Sequence, residues 1–191
     1  MLLNDEAYEL NGRSIILRSA TEDDAEMLLD YIKTVTGETR FLICEPDEIK
    51  YTIDGEKAFI KSHNDSDSAM LMLAFVDGEY AGNCSFSRIH HTRRGKHRAE
   101  IGIALFQRFT GFGLGRLMLE RLLQVIKEMG YEQAELTVHS DNARAHHLYE
   151  SLGFKDCGRI PNASKFDDGT YSDDVLMVLP MSEVKYISTW V

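Results

Sequence analysis

The sequence predicts a mixed α/β fold, a mixed sheet covered by helices. Three observations carry this. Strand-like and helical segments intermix along the chain, two-residue turn signals at Asp77-Gly78 and Asp168-Gly169 place hairpins towards both ends, and one long amphipathic segment runs from Gly113 to Met129. Hairpins of this kind belong to antiparallel pairs, so an all-parallel sheet is excluded.

Each element has a local reason. Ser14 to Arg18 is a short strand. Thr21-Glu22-Asp23-Asp24 supplies an N-cap and an acidic first turn for a helix burying Ala25, Leu28, Leu29 and Ile32. The stretch from Thr36 to Pro46 is irregular, and a second helix from Thr52 to Ser62 is expected to bury Ala58, Phe59 and Ile53. Ala69 to Val76 and Tyr80 to Ile89 are strands joined by the Asp77-Gly78 turn. His90 to His97 is a basic, polar loop, and Arg98 to Leu105 is the next strand. In the helix from Gly113 to Met129, Leu114, Leu117, Met118, Leu122, Val125 and Met129 form an apolar stripe, and Gly130 stands where a C-terminal cap belongs. Gln133 to His139 alternates, with Ala134, Leu136 and Val138 on one side. Asp141 or Asn142 caps a helix carrying Ala145, Leu148, Tyr149 and Leu152, which Gly153-Phe154 ends, and Tyr171 to Leu179 is the last strand.

The bulk properties bound the function. A chain of 191 residues with no repeat and no Pro/Gly-rich linker reads as a single domain over 1–191. Its hydrophobic fraction of 43% and charged fraction of 27% are those of an ordinary soluble protein. A formal net charge of −10 argues against nucleic acid or an anionic membrane as partner, and is compatible with a cationic small substrate. No apolar run is long enough to span a bilayer, and Met1-Leu2-Leu3-Asn4-Asp5-Glu6 turns acidic too soon for a signal peptide, so a cytoplasmic location is expected. The three cysteines, Cys44, Cys84 and Cys157, are far apart, which points to a reducing compartment and gives no zinc spacing. No metal is expected at His90, His91 and His97 either, because Arg93, Arg94 and Lys96 lie among them.

The chemistry concentrates in Arg108-Phe109-Thr110-Gly111-Phe112-Gly113-Leu114-Gly115, between the strand ending at Leu105 and the amphipathic helix. A helix N-terminus offers unpaired N–H groups and partial positive charge, glycines let the backbone approach an anion, and Arg108 and Arg116 are candidates for charge-assisted bonds. A P-loop needs Gly-Lys-Ser/Thr, whereas Gly115 is followed by Arg116-Leu117. A dinucleotide fold needs Gly-x-Gly-x-x-Gly after the first strand of a βαβ unit, whereas Gly-x-Gly-x-Gly stands late in this chain and Asp141 is too far downstream to be its acidic residue. An acyl-CoA loop, Arg/Gln-x-x-Gly-x-Gly/Ala, matches Arg108 to Gly113; a glycine-rich helix start without a ligand is the plain alternative.

Here the chain resembles the GNAT acetyltransferase superfamily. The resemblance runs from Arg13 to about Met181, with the motif core at about 98–160, and is strongest over Ala99-Glu100-Ile101-Gly102-Ile103 through Gly115 and over Glu135 through Phe154, where Asn-x-x-Ala-x-x-Leu-Tyr-x-x-x-Gly-Phe recurs. The ending Phe166-Asp167-Asp168-Gly169-Thr170-Tyr171-Ser172-Asp173 resembles the bacterial branch of ribosomal-protein-alanine N-acetyltransferases. The resemblance implies the GNAT fold, a central mixed, mostly antiparallel sheet flanked by helices. It implies acetyl-CoA as co-substrate, a primary amine of a small molecule, peptide or protein N-terminus as acceptor, and direct attack with both bound; relatives are often homodimers. It places the pyrophosphate on amides around Gly111, Phe112, Gly113, Leu114, Gly115 and Arg116 and the pantetheine arm near Ile103 and Leu105. It makes Asn142 a contact of the cofactor arm and Tyr149 the general acid.

The residues leave several readings open. Tyr149 shares a helical face with Ala145 and Leu152 and points inward, as a core tyrosine also would. Asn142 also suits a helix cap. Glu100 is the candidate base, sharing a strand face with Gly102 and Ala104, unless a bulge shifts the count; the alternatives are a surface glutamate paired with Arg98, or a water chain to another acid. Phe41, Glu45 and Tyr171 lie in regions that wall the acceptor site in such enzymes. A CoA-binding module without chemistry, or a nucleotide-dependent oxidoreductase, are the competing functions.

Overall fold

The computed structural model describes residues 2–184. They form eight strands and four α-helices, with chain contacts grouped into two compact units. The first comprises residues 2–87 and 102–122, the second residues 88–101 and 123–184.

In the first unit β1 (Glu6–Leu10), β2 (Arg13–Ser19), β3 (Ala69–Val76) and β4 (Glu79–Arg88) pair in that order, each ladder antiparallel. The central β3 is buried on both faces apart from Ala69 and Phe75, which its unbroken apolar sequence requires. Helix α1 (Ala25–Glu38) follows a short turn in which the Asp24 carboxylate takes two bonds from Arg18 at 2.7 Å and one from the Thr21 amide at 2.7 Å. These partners hold the Asp24 carboxyl below its ordinary range against the opposing pull of burial. Helix α2 (Ile53–Asn64) is capped by Thr52, whose hydroxyl accepts from the Gly55 amide at 3.1 Å.

Two expectations change here. The buried side chain of α2 is Ile60, whereas Ala58 is exposed and Phe59 and Ile53 are each 46% exposed. The helix therefore turns a face away from its aromatic residue, and Phe59 packs on His63 of its own helix instead. Helix α1 runs to Glu38, three residues into the stretch expected to be irregular. Strand β1 was hidden from the sequence because Glu-Ala-Tyr-Glu-Leu is only half-buried in alternation.

In the second unit the first residues of β5 (Arg98–Leu105) pair in parallel with β6 (Gln133–His139), over Arg98↔Gln133, Ala99↔Ala134 and Glu100↔Glu135. β6 pairs antiparallel with β8 (Tyr171–Pro180), and β8 with β7 (Lys155–Lys165). Ala134, Leu136 and Val138 are buried as expected, but Glu135 between them is buried too, so the strand alternates only from Leu136 onward. Helix α4 (Ala143–Ser151) precedes β7, an outermost strand of eleven residues exposed at every position but Ser164. Arg98 pairs with buried Glu135 through Nη2 to Oε2 at 2.6 Å and through Nε to Oε1. That guanidinium, opposed by burial and aided by Gln133, holds the Glu135 carboxyl below its ordinary range.

Helix α3 (Leu114–Glu128) belongs to both units, as β5 does. Leu114, Leu117, Met118, Leu119, Leu122, Leu123, Val125 and Ile126 are buried, a broader stripe than expected, with Met129 only half-buried. Each fully buried aliphatic side chain contributes roughly 1.5–3 kcal/mol. Gly130 at φ 80 closes the helix, and the Tyr131 amide returns to the Ile126 carbonyl at 3.2 Å. Among the described residues no helix is long and apolar enough to cross a membrane.

Candidate active site

The loop begins where β5 ends. The Phe106 amide donates to the Ala81 carbonyl at 3.0 Å, and the Gln107 amide to Glu38 Oε2 at 2.7 Å. Gln107–Phe109 is a single tight turn, and Thr110 Oγ1 bonds back to the Gln107 carbonyl at 2.6 Å. Gly111 at φ 93 and Gly113 at φ 103 bracket Phe112, and both angles are ones L side chains rarely adopt. Where α3 begins, the Leu117 amide donates to the Gly113 carbonyl at 3.1 Å, so the glycine loop runs straight into the helix N-terminus. Glycines at a helix start are the arrangement found at anion sites in general.

Ile103 and Leu105 are half-buried on the strand leading in. Leu105 lies so close to Gly82 of β4 that a Cβ there would sit 2.7 Å from Leu105 Cα and 2.4 Å from the Ala104 carbonyl oxygen. Sequence reasoning missed Gly82, because the close approach is between strands distant in the chain. The loop's arginine side chains have acidic partners within the protein. Arg108 pairs with Glu79 and lies over the Phe106 and Phe109 rings, its Cζ 4.4 and 4.9 Å from their centroids. Arg116 Nη1 reaches Glu120 at 3.2 Å along the helix. On the other side, Asn11 Nδ2 donates to the Phe112 carbonyl at 2.8 Å and the Arg13 guanidinium lies 4.5 Å from the Phe112 ring centroid.

Beside Arg108 a cavity of about 530 Å³ is lined by Asp23, Glu26 and Asp30 of the α1 region, by Glu79, and by Tyr31, Tyr80 and Phe106. The three rings meet edge-on, with centroids 4.9 to 6.3 Å apart. An acidic rim over aromatic walls suits a cationic group. No short motif announces this cavity, because its walls come from separated segments.

In the second unit, Asn142 caps α4, its Oδ1 accepting from the Ala145 amide at 3.2 Å. Tyr149 is 8% exposed, its ring 6.0 Å from that of Phe154 in a T-shaped contact. Burial pushes its phenol up to about 12, so the hydroxyl stays protonated at neutral pH. That hydroxyl makes no hydrogen bond among the described residues, which leaves a donor available. Glu100 is exposed while its neighbours Ala99 and Ile101 are buried, so it shares the open face of β5 with Gly102. Its imagined partner Arg98 is committed to Glu135 instead. His146 Nε2 lies 2.9 Å from Asp156 Oδ1 on the surface. Phe41 is half-buried, Glu45 exposed, and Tyr171 52% exposed. No group of His, Cys, Asp and Glu among the described residues could hold a metal ion.

These features define a class, an acyl-CoA-type transferase fold carrying the Gly-x-Gly loop at a helix start. A family model described as the acetyltransferase (GNAT) family matches residues 34–154, more than half of the sequence. The chain belongs to that family. It is 40% identical over 70 residues to a ribosomal protein bS18-alanine N-acetyltransferase of Escherichia coli, a match that takes in 37% of this chain and 47% of that protein. The chain thus spans about half the length of the curated relatives it matches at that level. An acetyltransferase of GNAT family from Streptococcus pneumoniae superposes with a TM-score of 0.82 at 28% identity, over 87% of this chain and 99% of that one. A Salmonella typhimurium protein solved with its cofactor acetyl-CoA shares the fold, with a TM-score of 0.77 at 21% identity over 88% of this chain and 95% of that one.

Proposed function

We propose that the protein is an acetyl-CoA-dependent N-acetyltransferase that acts on a primary amine of a small molecule, peptide or protein N-terminus. The observation that carries this reading is the loop: two positive-φ glycines bracketing Phe112, followed directly by the N-terminus of α3. These are the groups a pyrophosphate needs, and family membership makes acetyl-CoA the ligand they would hold. Gly111 through Arg116 would cradle the pyrophosphate, Ile103 and Leu105 would bond the pantetheine arm through their main chain, and Asn142 would touch the same arm. Acetyl-CoA supplies an activated thioester. The acceptor nitrogen forms its bond to the acetyl carbonyl carbon, the C–S bond breaks, and the Tyr149 hydroxyl gives its proton to the departing sulfur. A strand amide near Ile103 would stabilise the oxyanion. Glu100, exposed and without an ion pair among the described residues, or a water chain to another acid, takes one proton of the acceptor ammonium, and the second N–H proton lost as the amide forms restores the Tyr149 hydroxyl. The acidic rim at Asp23, Glu26 and Asp30 supports an acceptor that arrives as a cation. We read residues 1–191 as one catalytic domain of the cytoplasm, in keeping with the family match running through segments of both units.

The test is release of CoA thiol from acetyl-CoA across amino acids, polyamines, aminoglycosides and N-terminal peptides. Turnover with one amine class, slowed in Tyr149→Phe, is the expected result. Tight acetyl-CoA binding with no turnover on any amine would make the protein a CoA-binding module, and thermal stabilisation by NAD(P) alone would make it an oxidoreductase.

A further inference from the structure

The N-terminal hairpin touches the glycine loop at its tip and α3 at its base. At the tip, Asn11 Nδ2 holds the carbonyl of Phe112 at 2.8 Å, and the Leu10 methyl groups lie beside Gly113, 3.7 and 3.8 Å from where a Cβ would stand. At the base, the Glu6 carboxylate accepts from Arg121 Nε and Nη2 of α3 at 2.7 and 2.8 Å and from the Tyr8 hydroxyl at 2.6 Å. The hairpin is therefore fixed with respect to the loop and helix start that it flanks.

The cations around the loop fall into two kinds. Arg108 is paired with Glu79, and Arg116 with Glu120. Arg13 is exposed, its side chain makes no hydrogen bond or ion pair among the described residues, and its guanidinium lies over the Phe112 ring, 4.5 Å from Cζ to centroid. Stacking on a ring leaves the in-plane N–H groups of a guanidinium free, and a planar fork is matched to two phosphate oxygens.

We propose that Arg13 is a cofactor-positioning residue, its guanidinium held over Phe112 to take phosphate oxygens of the acyl-CoA, with Asn11 fixing the loop backbone beneath it. This rests on the acyl-CoA reading above. The role falls to the N-terminal hairpin, outside the residues 34–154 that match the family, because the loop's own Arg108 is committed to Glu79.

The experiment compares wild type, Arg13→Ala, Arg13→Lys and Asn11→Ala for calorimetric binding of CoA and of 3′-dephospho-CoA, and for acetyl-CoA kinetics. Arg13→Ala is expected to raise KM for acetyl-CoA about tenfold with kcat within about twofold, the pattern of a lost binding contact. It should also flatten the salt dependence of CoA binding by about one charge. Arg13→Lys restores part of the affinity, and Asn11→Ala weakens binding about threefold. A loss shared by both ligands assigns Arg13 to the pyrophosphate; a loss confined to CoA assigns it to the 3′-phosphate. If Arg13→Ala melts early, Arg13→Lys decides by its CoA affinity relative to wild type. Arg13→Ala binding both ligands within twofold of wild type, or, where that variant melts early, Arg13→Lys binding indistinguishably from wild type, overturns the proposal, whereas a wild type that binds neither overturns the acyl-CoA reading itself.

Discussion

The glycine loop and helix α4 carry the two halves of the expected chemistry with different parts of the chain. The loop works through backbone: Gly111 and Gly113 at positive φ and the amides opening α3, with its arginines turned to Glu79 and Glu120. Helix α4 works through side chains: a buried phenol pushed up to about 12 and an amide that already caps the helix. On the proposed reading, backbone geometry of the first kind would hold any ligand with the right phosphates, and a single hydroxyl of the second kind would decide whether that ligand reacts.

Kinetics can separate the two. Tyr149→Phe removes the donor and keeps the packing against Phe154, so kcat should fall about 100-fold with acetyl-CoA affinity little changed. Because the folded phenol is raised, not lowered, the acid stays protonated until far above neutrality, and wild-type kcat should show no loss from this group below about pH 10. Gly113→Ala forces a side chain onto φ 103 and should do the reverse: acetyl-CoA binding about tenfold weaker, with kcat at saturation nearly kept. Matching kcat losses in both variants would erase the division of labour.

Two smaller effects sharpen it. Glu135→Gln leaves Arg98 without its carboxylate and should cost about 2 kcal/mol, a little under a sealed pair because the Arg98 side chain is 34% exposed. The Glu135 carboxyl is held low, so its contribution is present above the ordinary carboxylate range and is lost as pH falls through the folded value; wild type and variant should converge in acid melts. Asn142→Ala loses a cap worth about 1 kcal/mol. A rise in acetyl-CoA KM of about threefold alongside that loss would give Asn142 its second role, and an unchanged KM would leave it a cap.

The backbone half of the site was the more legible in sequence. Few residues other than glycine tolerate the angles at 111 and 113, so letters and geometry nearly coincide there. Tyr149 was placed correctly on the inward face of its helix by spacing alone. What the sequence did not disclose depends on distant partners. Arg98 pairs with Glu135 across a parallel ladder, not with its near neighbour Glu100. Arg108 meets Glu79 from the β3–β4 hairpin. In α2 the aliphatic Ile60, not Phe59, is buried, because a short helix with mixed faces takes its orientation from what it packs on.

Strand β7 has a consequence for how copies of the protein share a crowded solution. Eleven residues of outermost strand, open on both faces, would ordinarily be a template on which another chain could add a strand and begin to stack. Pro161 removes a donor from its middle, Asn162 at φ 52 breaks its line, and Lys155, Asp156, Arg159 and Lys165 place charge along it. Each of these features opposes the addition of a further strand along this edge.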